Sequence, residues 1–480
     1  MGRKFALIIM FVFLVGLVAC TETPTDDPED QGLVYDPTWV DEDITLNFAS
    51  WVNSDLENLM LDAFMDKYPN VTVTKDAELV NSENPGWEGQ IIERAAAGTL
   101  PDVFAVRFLD HVYLNDLGLN VKPFIDQDSE KDSIMEAALD SATYDDKVFA
   151  VPASTTPKYM LVNTALLEQY DLPVPGYDWT LDDYDTIVET VHHVEAGACT
   201  FGAYSYGEMV GAYAAIKSEG ALQYQTFDGS QFNFTNADHR AILERELGMS
   251  DYLLNYLDGD EIKVACETEN TWWAAYGTIA IFSQPLYDMS WFPGSYDSRN
   301  GGEGAFFEDI DLYPLPKLDG FDQMNVSGVG FLALSPTITD DKTASAAYEL
   351  AKWMGFGKEG TIARHGFIAD WETYSGSLFF SYWRFPITND ADVWASLPHA
   401  TSDDFGLAGL QSQAFIDATI NGLIENNRSL PGQQEALWAA QGLFGAYRRG
   451  EYSGSLVDVL REMEETANQI IEDTMAAVGW

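Results

Sequence analysis

The chain has little positive charge. Its 25 Lys and Arg stand against 77 Asp and Glu, a net charge of -52. Nucleic acid is excluded as a partner, because binding phosphates needs clustered bases. An anionic membrane surface would repel the chain as well. Cysteine is scarce, at three residues. Past the first twenty residues no stretch is long and apolar enough to span a bilayer. There is no Asp-x-Asp-x-Asp-Gly loop for calcium, no Walker A sequence, no His-Glu-x-x-His and no Gly-x-Ser-x-Gly, so those metal, nucleotide and nucleophile chemistries have no motif here. Gly328-Val329-Gly330-Phe331-Leu332-Ala333 has dinucleotide-loop spacing but runs into a strand-like segment rather than a helix start. His192 and His193 are adjacent and cannot face one metal together, even with Glu195 nearby. No internal repeat is present, which speaks against a repeat-built adhesin.

Arg3 and Lys4 precede an apolar run from Phe5 to Val18, the pattern of an export signal too short for a comfortable membrane span. The ending Leu17-Val18-Ala19-Cys20 resembles the lipobox of bacterial lipoproteins. That resemblance implies cleavage before Cys20, lipidation of its sulfur and attachment to the cell membrane on its extracytoplasmic face. Residues 21–43 hold nine acids, no base and prolines at 24, 28 and 37, and are expected to be a disordered tether. Without Arg3 and Lys4, 23 bases remain against 77 acids. The dispersed acid is read as a solubilising coat, with a cationic ligand or calcium as the sharper alternative. Cys199 and Cys266 are left to pair outside the cell or to lie apart as buried thiols.

The remaining length, about 460 residues, allows two or three domains. Alternation in Ile44–Ala49 predicts a strand, and Ser54-Asp55-Leu56-Glu57 a capping box opening a helix that Pro69 stops. Val71–Val73 predicts the next strand, so the chain opens strand–helix–strand, the unit of a parallel sheet. A helix over 90–97, strands over 101–106 and 147–152, and a second capping box from Thr180 to Asp183 follow. Residues 278–282 and 328–334 predict strands. Residues 344–354 predict a helix, and 437–475 a helical end broken near 450–455.

The order of these segments resembles the extracellular solute-binding proteins of sugar-type ABC importers, the family of maltose-binding protein. The likeness rests on Tyr159–Leu167, on Pro173-Val174-Pro175 with Trp179–Asp183, on Tyr276–Ile281, on Leu315-Pro316 and on Val326–Phe331. Trp179 precedes Thr180, a mild departure from the family order. The resemblance implies an α/β, two-lobe periplasmic-binding-protein fold with the ligand in the cleft between the lobes. The expected boundaries are 44–155 plus 325–370 for the first lobe and 156–324 plus 371–480 for the second. It further implies a monomeric binding protein without cofactor or metal, whose partners are a sugar or oligosaccharide, the permease subunits of the transporter and, through lipid, the membrane. Hinge closure around the ligand needs no chemistry on it. An exported glycoside-processing enzyme, a surface adhesin and a polyamine-binding protein are the alternatives. An enzyme would need a pair of cleft carboxylates.

Aromatics make up 13% of the chain and suit the apolar faces of sugars, while carboxylates, amides and Arg suit their hydroxyl rims. Ligands in open α/β sheets sit beyond the carboxyl ends of strands. Candidates there are Trp51 and Asn53 after the first strand, Trp87 before the second helix, and Arg107 and Asp110 after the third strand. Ser154 and Thr155 lie near the hinge. Trp273, Ser283, Gln284 and Tyr287 flank the 278–282 strand, Gly328 and Gly330 mark the return crossing, and Trp371, Trp383 and Arg384 lie in a late loop region. Each Trp has core packing as its competing fate, and Arg107 a surface ion pair.

Overall fold

The computed structural model describes residues 32–51, 54–76, 78–79, 86–144, 146–267, 276–284, 298–299, 308–370, 385–398, 409, 412–425 and 430–478. Folded structure begins at Leu33, before the end of the expected tether. Asp36 caps a 3-10 helix over Pro37–Asp41, and Trp39 within it is buried. The Tyr35 hydroxyl donates to Glu349 at 2.8 Å, and the Asp36 amide to Ser345 Oγ at 2.8 Å. Leu33, Tyr35 and Trp39 give this acidic stretch enough apolar surface to dock, while Asp41, Glu42 and Asp43 stay in solvent.

Strand β1 (Ile44–Ala49), helix α1 (Asp55–Lys67) and strand β2 (Val71–Lys75) form the expected opening unit. Only half of its capping box is made: Ser54 Oγ accepts from the Glu57 amide at 3.3 Å. The Glu57 carboxylate is buried and pairs with Lys75 at 2.7 Å instead. The Thr180–Asp183 box closes in both directions at the start of its helix. Helix α2 (Trp87–Ala96), strand β3 (Val103–Val106) and helix α3 (Leu109–Leu114) follow. The single strand expected over 147–152 is two elements. Strand β5 (Lys147–Val148) pairs with β4 (Thr143–Tyr144), and β6 (Val151–Pro157) continues beyond it. Pro152 is tolerated inside β6 because the ladder slips register beside it, between Gly330 and Phe331.

The chain goes on through β7 (Tyr159–Asn163), α4 (Leu181–Val191), β8 (Phe201–Ala203), α5 (Glu208–Lys217), α6 (Ala237–Gly248), β9 (Ile279–Gln284) and β10 (Ile310–Tyr313). It then forms β11 (Val326–Leu334), α7 (Asp341–Met354), α8 (Gln413–Ile420), β12 (Leu423–Ile424), α9 (Gln433–Arg448) and α10 (Leu456–Val478). The first sheet has the order β12-β11-β3-β1-β2, with β6 also on β11. Its β1, β2 and β3 are parallel, and β11 runs against β3 and β6. The second sheet is β10-β7-β9-β8, with β8 and β9 parallel and β7 antiparallel to both its neighbours. The second sheet is covered on two faces: Leu161 of β7 points into one buried cluster, while Met160 and Val162 point into another.

These sheets are the cores of the two lobes, and the chain passes between them at three places. Lys158 alone separates β6 from β7. Residues 314–325 return the chain from β10 to β11. The third passage follows Glu425, beyond β12. The expectation that everything after 371 joins the second lobe is therefore corrected. Phe385 bridges Thr155 of β6, Thr388 bridges Ile134, and β12 lengthens the first sheet. Gly409 touches the second sheet, its amide donating to Asp311 Oδ1 at 3.0 Å, and α9 and α10 lie on that side, where Ala436, Ala440 and Leu460 pack with Phe232 and Phe234.

Cys199 and Cys266 form a disulfide, with Cα atoms 5.7 Å apart and a sequence separation of 67. A loop of that length loses substantial chain entropy when closed. Replacing both cysteines by serine is expected to cost about 2–4 kcal/mol of stability, measurable by urea unfolding. A midpoint equal to that of the parent would mean that the bond contributes nothing.

Candidate functional site

The three passages are stitched together by backbone hydrogen bonds. The Lys158 amide donates to Val326 O at 2.7 Å, the Leu423 amide to Asn325 O at 2.8 Å, and the Glu425 amide to Ser327 O at 2.9 Å. Buried Asn325 fixes the junction, accepting from the Leu315 amide at 2.9 Å and donating to Thr419 Oγ1 at 3.0 Å. One side chain from each side then meets over the seam. Lys158 Nζ lies 3.1 Å from Glu425 and 3.8 Å from Glu208, the first residue of α5. The Tyr224 hydroxyl donates to the other oxygen of Glu208. Burial raises the Glu208 carboxyl above its usual range, Lys158 pulls it back and Glu425 pushes it up again.

The candidate residues on these strands separate into two kinds. Thr155 is structural: its Oγ1 donates to Pro386 O at 3.2 Å and its amide to Phe385 O at 3.3 Å. Ser154 is fully buried opposite Gly330, and its hydroxyl has no partner among the described residues; the same holds for Thr156 and Ser327. Gly328 sits opposite Thr156, and a side chain there would meet the Glu425 carboxylate at 3.2 Å. The glycine thus lets a carboxylate reach the strand backbone. The seam presents a carboxylate above, with hydroxyls buried beneath it.

The first lobe contributes a second group. Trp51, half-buried after β1, meets Trp87 edge-on with ring centres 5.6 Å apart. Trp87 itself is corrected from a ligand contact to a core residue: it is 2% exposed, and its Nε1 donates to Ala105 O at 3.0 Å. As the first residue of α2 it turns inward and backs Trp51. Arg107 is exposed after β3 and lies over the Phe108 ring, with no carboxylate in ion-pair distance among the described residues. Asp110 is half-buried on α3, and its Oδ1 has no partner among the described residues. Burial raises its carboxyl, His111 and its amide pull it back, and Glu435 on α9 pushes it up again.

That coupling brings α9, a helix beyond the third passage, into the field of α3. Trp438 lies one turn after Glu435 and so on the same face. It is 60% exposed, and among the described residues it is the one Trp in open solvent. Tyr204 is equally exposed just beyond β8, at the edge where β9 also ends. Neither ring was among the sequence candidates. Both carried a signal: Trp438 falls off the buried stripe of Ala436 and Ala440, and Tyr204 follows a strand's carboxyl end. Ser283, half-buried on β9, pairs in register with Met160 next to the first passage. Gln284 pairs with Tyr159, and its side chain lies outside the described residues, as do Cys20, Asn53, Trp273, Tyr287, Trp371, Trp383 and Arg384. Among the described residues no helix is long and apolar enough to cross a membrane.

Residues 60–373 match the family model described as bacterial extracellular solute-binding protein. Solved structures of similar fold include a sugar transporter protein from Rhizobium etli in an open conformation, at 17% identity and a TM-score of 0.66, with 89% of this chain and 99% of that one covered. The sugar-binding protein MalE from Xanthomonas citri has 14% identity, a TM-score of 0.66, and coverage of 91% and 99%. An ABC substrate-binding protein from Listeria monocytogenes, solved with cycloalternan, has 13% identity, a TM-score of 0.61, and coverage of 90% and 100%. The fold is the two-lobe arrangement of these proteins. No curated protein matches the sequence.

Asp110 generates a stability prediction. Its folded state holds the proton more tightly than the unfolded chain does. The fold therefore loses stability as pH rises through the carboxyl range, and the loss is absent below the ordinary Asp value of about 3.9. Asp110→Asn should raise the melting temperature at pH 7, with the gain fading as melts are repeated toward pH 4. A gain of constant size across that range, or none at all, would contradict this reading of the carboxyl.

Proposed function

We propose that this chain, which belongs to the bacterial extracellular solute-binding protein family, captures a neutral sugar or oligosaccharide between its two lobes and delivers it to the permease subunits of an ABC importer. The observation that carries the reading is an exposed indole, Trp438, on the face of α9 that carries Glu435, whose charge reaches the Asp110 carboxyl on the other lobe. A sugar offers an apolar face to the ring and hydroxyl donors to the carboxylates. Trp51 would supply the opposing ring, and Arg107 a donor for ring and hydroxyl oxygens. Glu208, Glu425 and Lys158 would meet the ligand at the seam.

The mechanism is binding without turnover. Ligand contacts on both lobes exist together only when the lobes close, so the ligand shifts the population toward closure. Bending is confined to the three passages, where a few residues absorb the change in backbone angle. Carboxylates outnumber cations around the seam, which disfavours phosphorylated or acidic sugars by like-charge repulsion. Lipid on Cys20 would hold the folded body near its transporter, with the segment before Leu33 as the tether.

A thermal-shift screen against mono- and oligosaccharides, with polyamines and calcium alongside, tests the reading. A ligand that binds only the folded state raises the melting temperature, and its recovery intact rules against hydrolysis. Trp438→Ala and Trp51→Ala should each weaken that ligand about tenfold or more, with the parent's unliganded melting temperature kept within a few degrees. Unchanged affinity in both variants would remove the site assignment. A response to polyamines alone would replace the sugar with a cation.

A further inference from the structure

At the seam, two carboxylates from different lobes share one lysine. Glu208 opens α5, whose Met209 and Ala212 pack in one cluster with Met160 and Val162 of the second sheet. Glu425 follows β12, a strand of the first sheet, and its amide donates to Ser327 O at 2.9 Å. Lys158 separates β6 from β7, with Nζ 3.1 Å from Glu425 and 3.8 Å from Glu208. All three side chains are half-buried, so water and salt screen them incompletely. One positive charge cannot balance two negative ones, and the group carries net negative charge while both acids are ionised.

Glu208 also has a fixed neighbour in its own lobe. The buried Tyr224 hydroxyl donates to Glu208 Oε2, and Gln225 bonds the tyrosine as well. A Cβ at Gly211 on α5 would lie 2.5 Å from the Tyr224 ring, so the glycine lets that ring approach the helix. Gln225 and Thr226 follow with φ of 59° and 61°. The left-handed region is unfavourable for a β-branched threonine and persists where the surroundings over-determine it. The groups facing Glu208 act in opposite directions. Burial, the largest influence, favours the neutral acid, and Glu425 adds to it; Lys158 and Tyr224 favour the carboxylate. The neutral form gains on balance, and the carboxyl stands above its usual range. A lobe arrangement that gave Glu208 to water would return it to that range. Proton uptake favours whichever arrangement binds the proton more tightly.

We propose that Glu208 is a proton-operated latch between the lobes, holding the arrangement of this structure when protonated and releasing it when ionised. Protonated, Glu208 stays at the seam while Lys158 and Glu425 neutralise each other. Ionised, it is poorly solvated there and repels Glu425, which favours arrangements in which α5 draws back from the third passage. The bending falls on the same three passages that ligand closure would use. The latch acts on the unliganded lobes, so it stands whatever the cleft binds.

The test is the separation of the unliganded lobes, read between spin labels at the exposed positions Asp62→Cys on α1 and Glu189→Cys on α4. The pH runs from about 8 to about 4.5, just above the ordinary Glu value of about 4.3. The expected result is a rise, as pH falls, in the fraction of molecules at the separation of this structure. Glu208→Gln keeps an acceptor for Tyr224 and cannot ionise, so it should show the low-pH distribution throughout. Two other variants keep Glu208 and move the midpoint in opposite directions. Tyr224→Phe removes a donor to the carboxylate and moves the midpoint to higher pH. Glu425→Gln removes the repelling charge and moves it to lower pH. Those opposite shifts establish the latch without Glu208→Gln, should that variant not fold. A distribution in the parent that ignores pH overturns the proposal. So does a response of parental size in Glu208→Gln, which would trace it to the general loss of surface charge, or a midpoint that neither of the other two variants moves.

Discussion

The structure depends on how three strand passages are held at one seam. Without that seam the two sheets would be two domains on linkers. Residues 157–159, 325–328 and 423–425 are instead joined edge to edge by backbone hydrogen bonds, with Asn325 buried as the shared fastener. This keeps the lobes in one register and leaves only short segments to bend. Lys158 between Glu208 and Glu425 places charge from all three sides over that seam. Removing the lysine would leave two carboxylates close together and poorly solvated, a far larger cost than the loss of one exposed ion pair.

Acid in this chain has two roles. Most of it is dispersed over the surface, where it solubilises and repels. A small part is held where water is limited, and burial raises those carboxyls: Asp110, Glu208 and Glu246, and also Asp102, Asp311 and Glu349, which are taken up by the Asn47 amide, Tyr177 and Tyr35. Titratable groups perturbed in this way cluster at functional sites. Here Asp110 and Glu208 are the two of them at the first-lobe wall and the seam, while Asp102, Asp311 and Glu349 are structural. Net charge alone, which dominates the composition, says nothing about where they are.

Local signals in the sequence were reliable, and long-range ones were not. The β1–α1–β2 opening and the Thr180 box follow from alternation and capping within a few residues. The half-made box at Ser54 fails because Glu57 finds Lys75, a partner on another element. The acidic stretch before Ile44 docks because of two aromatic residues among its acids, so its composition misleads where its individual residues do not. Trp87 and Trp51 look alike in sequence, each lying near a helix start, and only packing separates the buried ring from the half-buried one. Trp438 was legible in principle, as an indole off its helix's apolar stripe. The role of Lys158 was not legible, because it depends on Glu208 and Glu425 arriving from distant parts of the chain.

The most direct test of the central claim is a distance across the seam. Spin labels at Asp62→Cys on α1, against the first sheet, and Glu189→Cys on α4, against the second, would report the separation of the lobes with and without a stabilising sugar. The account predicts a shorter and narrower distance distribution when the sugar is bound, and a return to the open distribution when it is washed out. An unchanged distribution in a sample shown to hold the sugar would contradict capture by hinge closure.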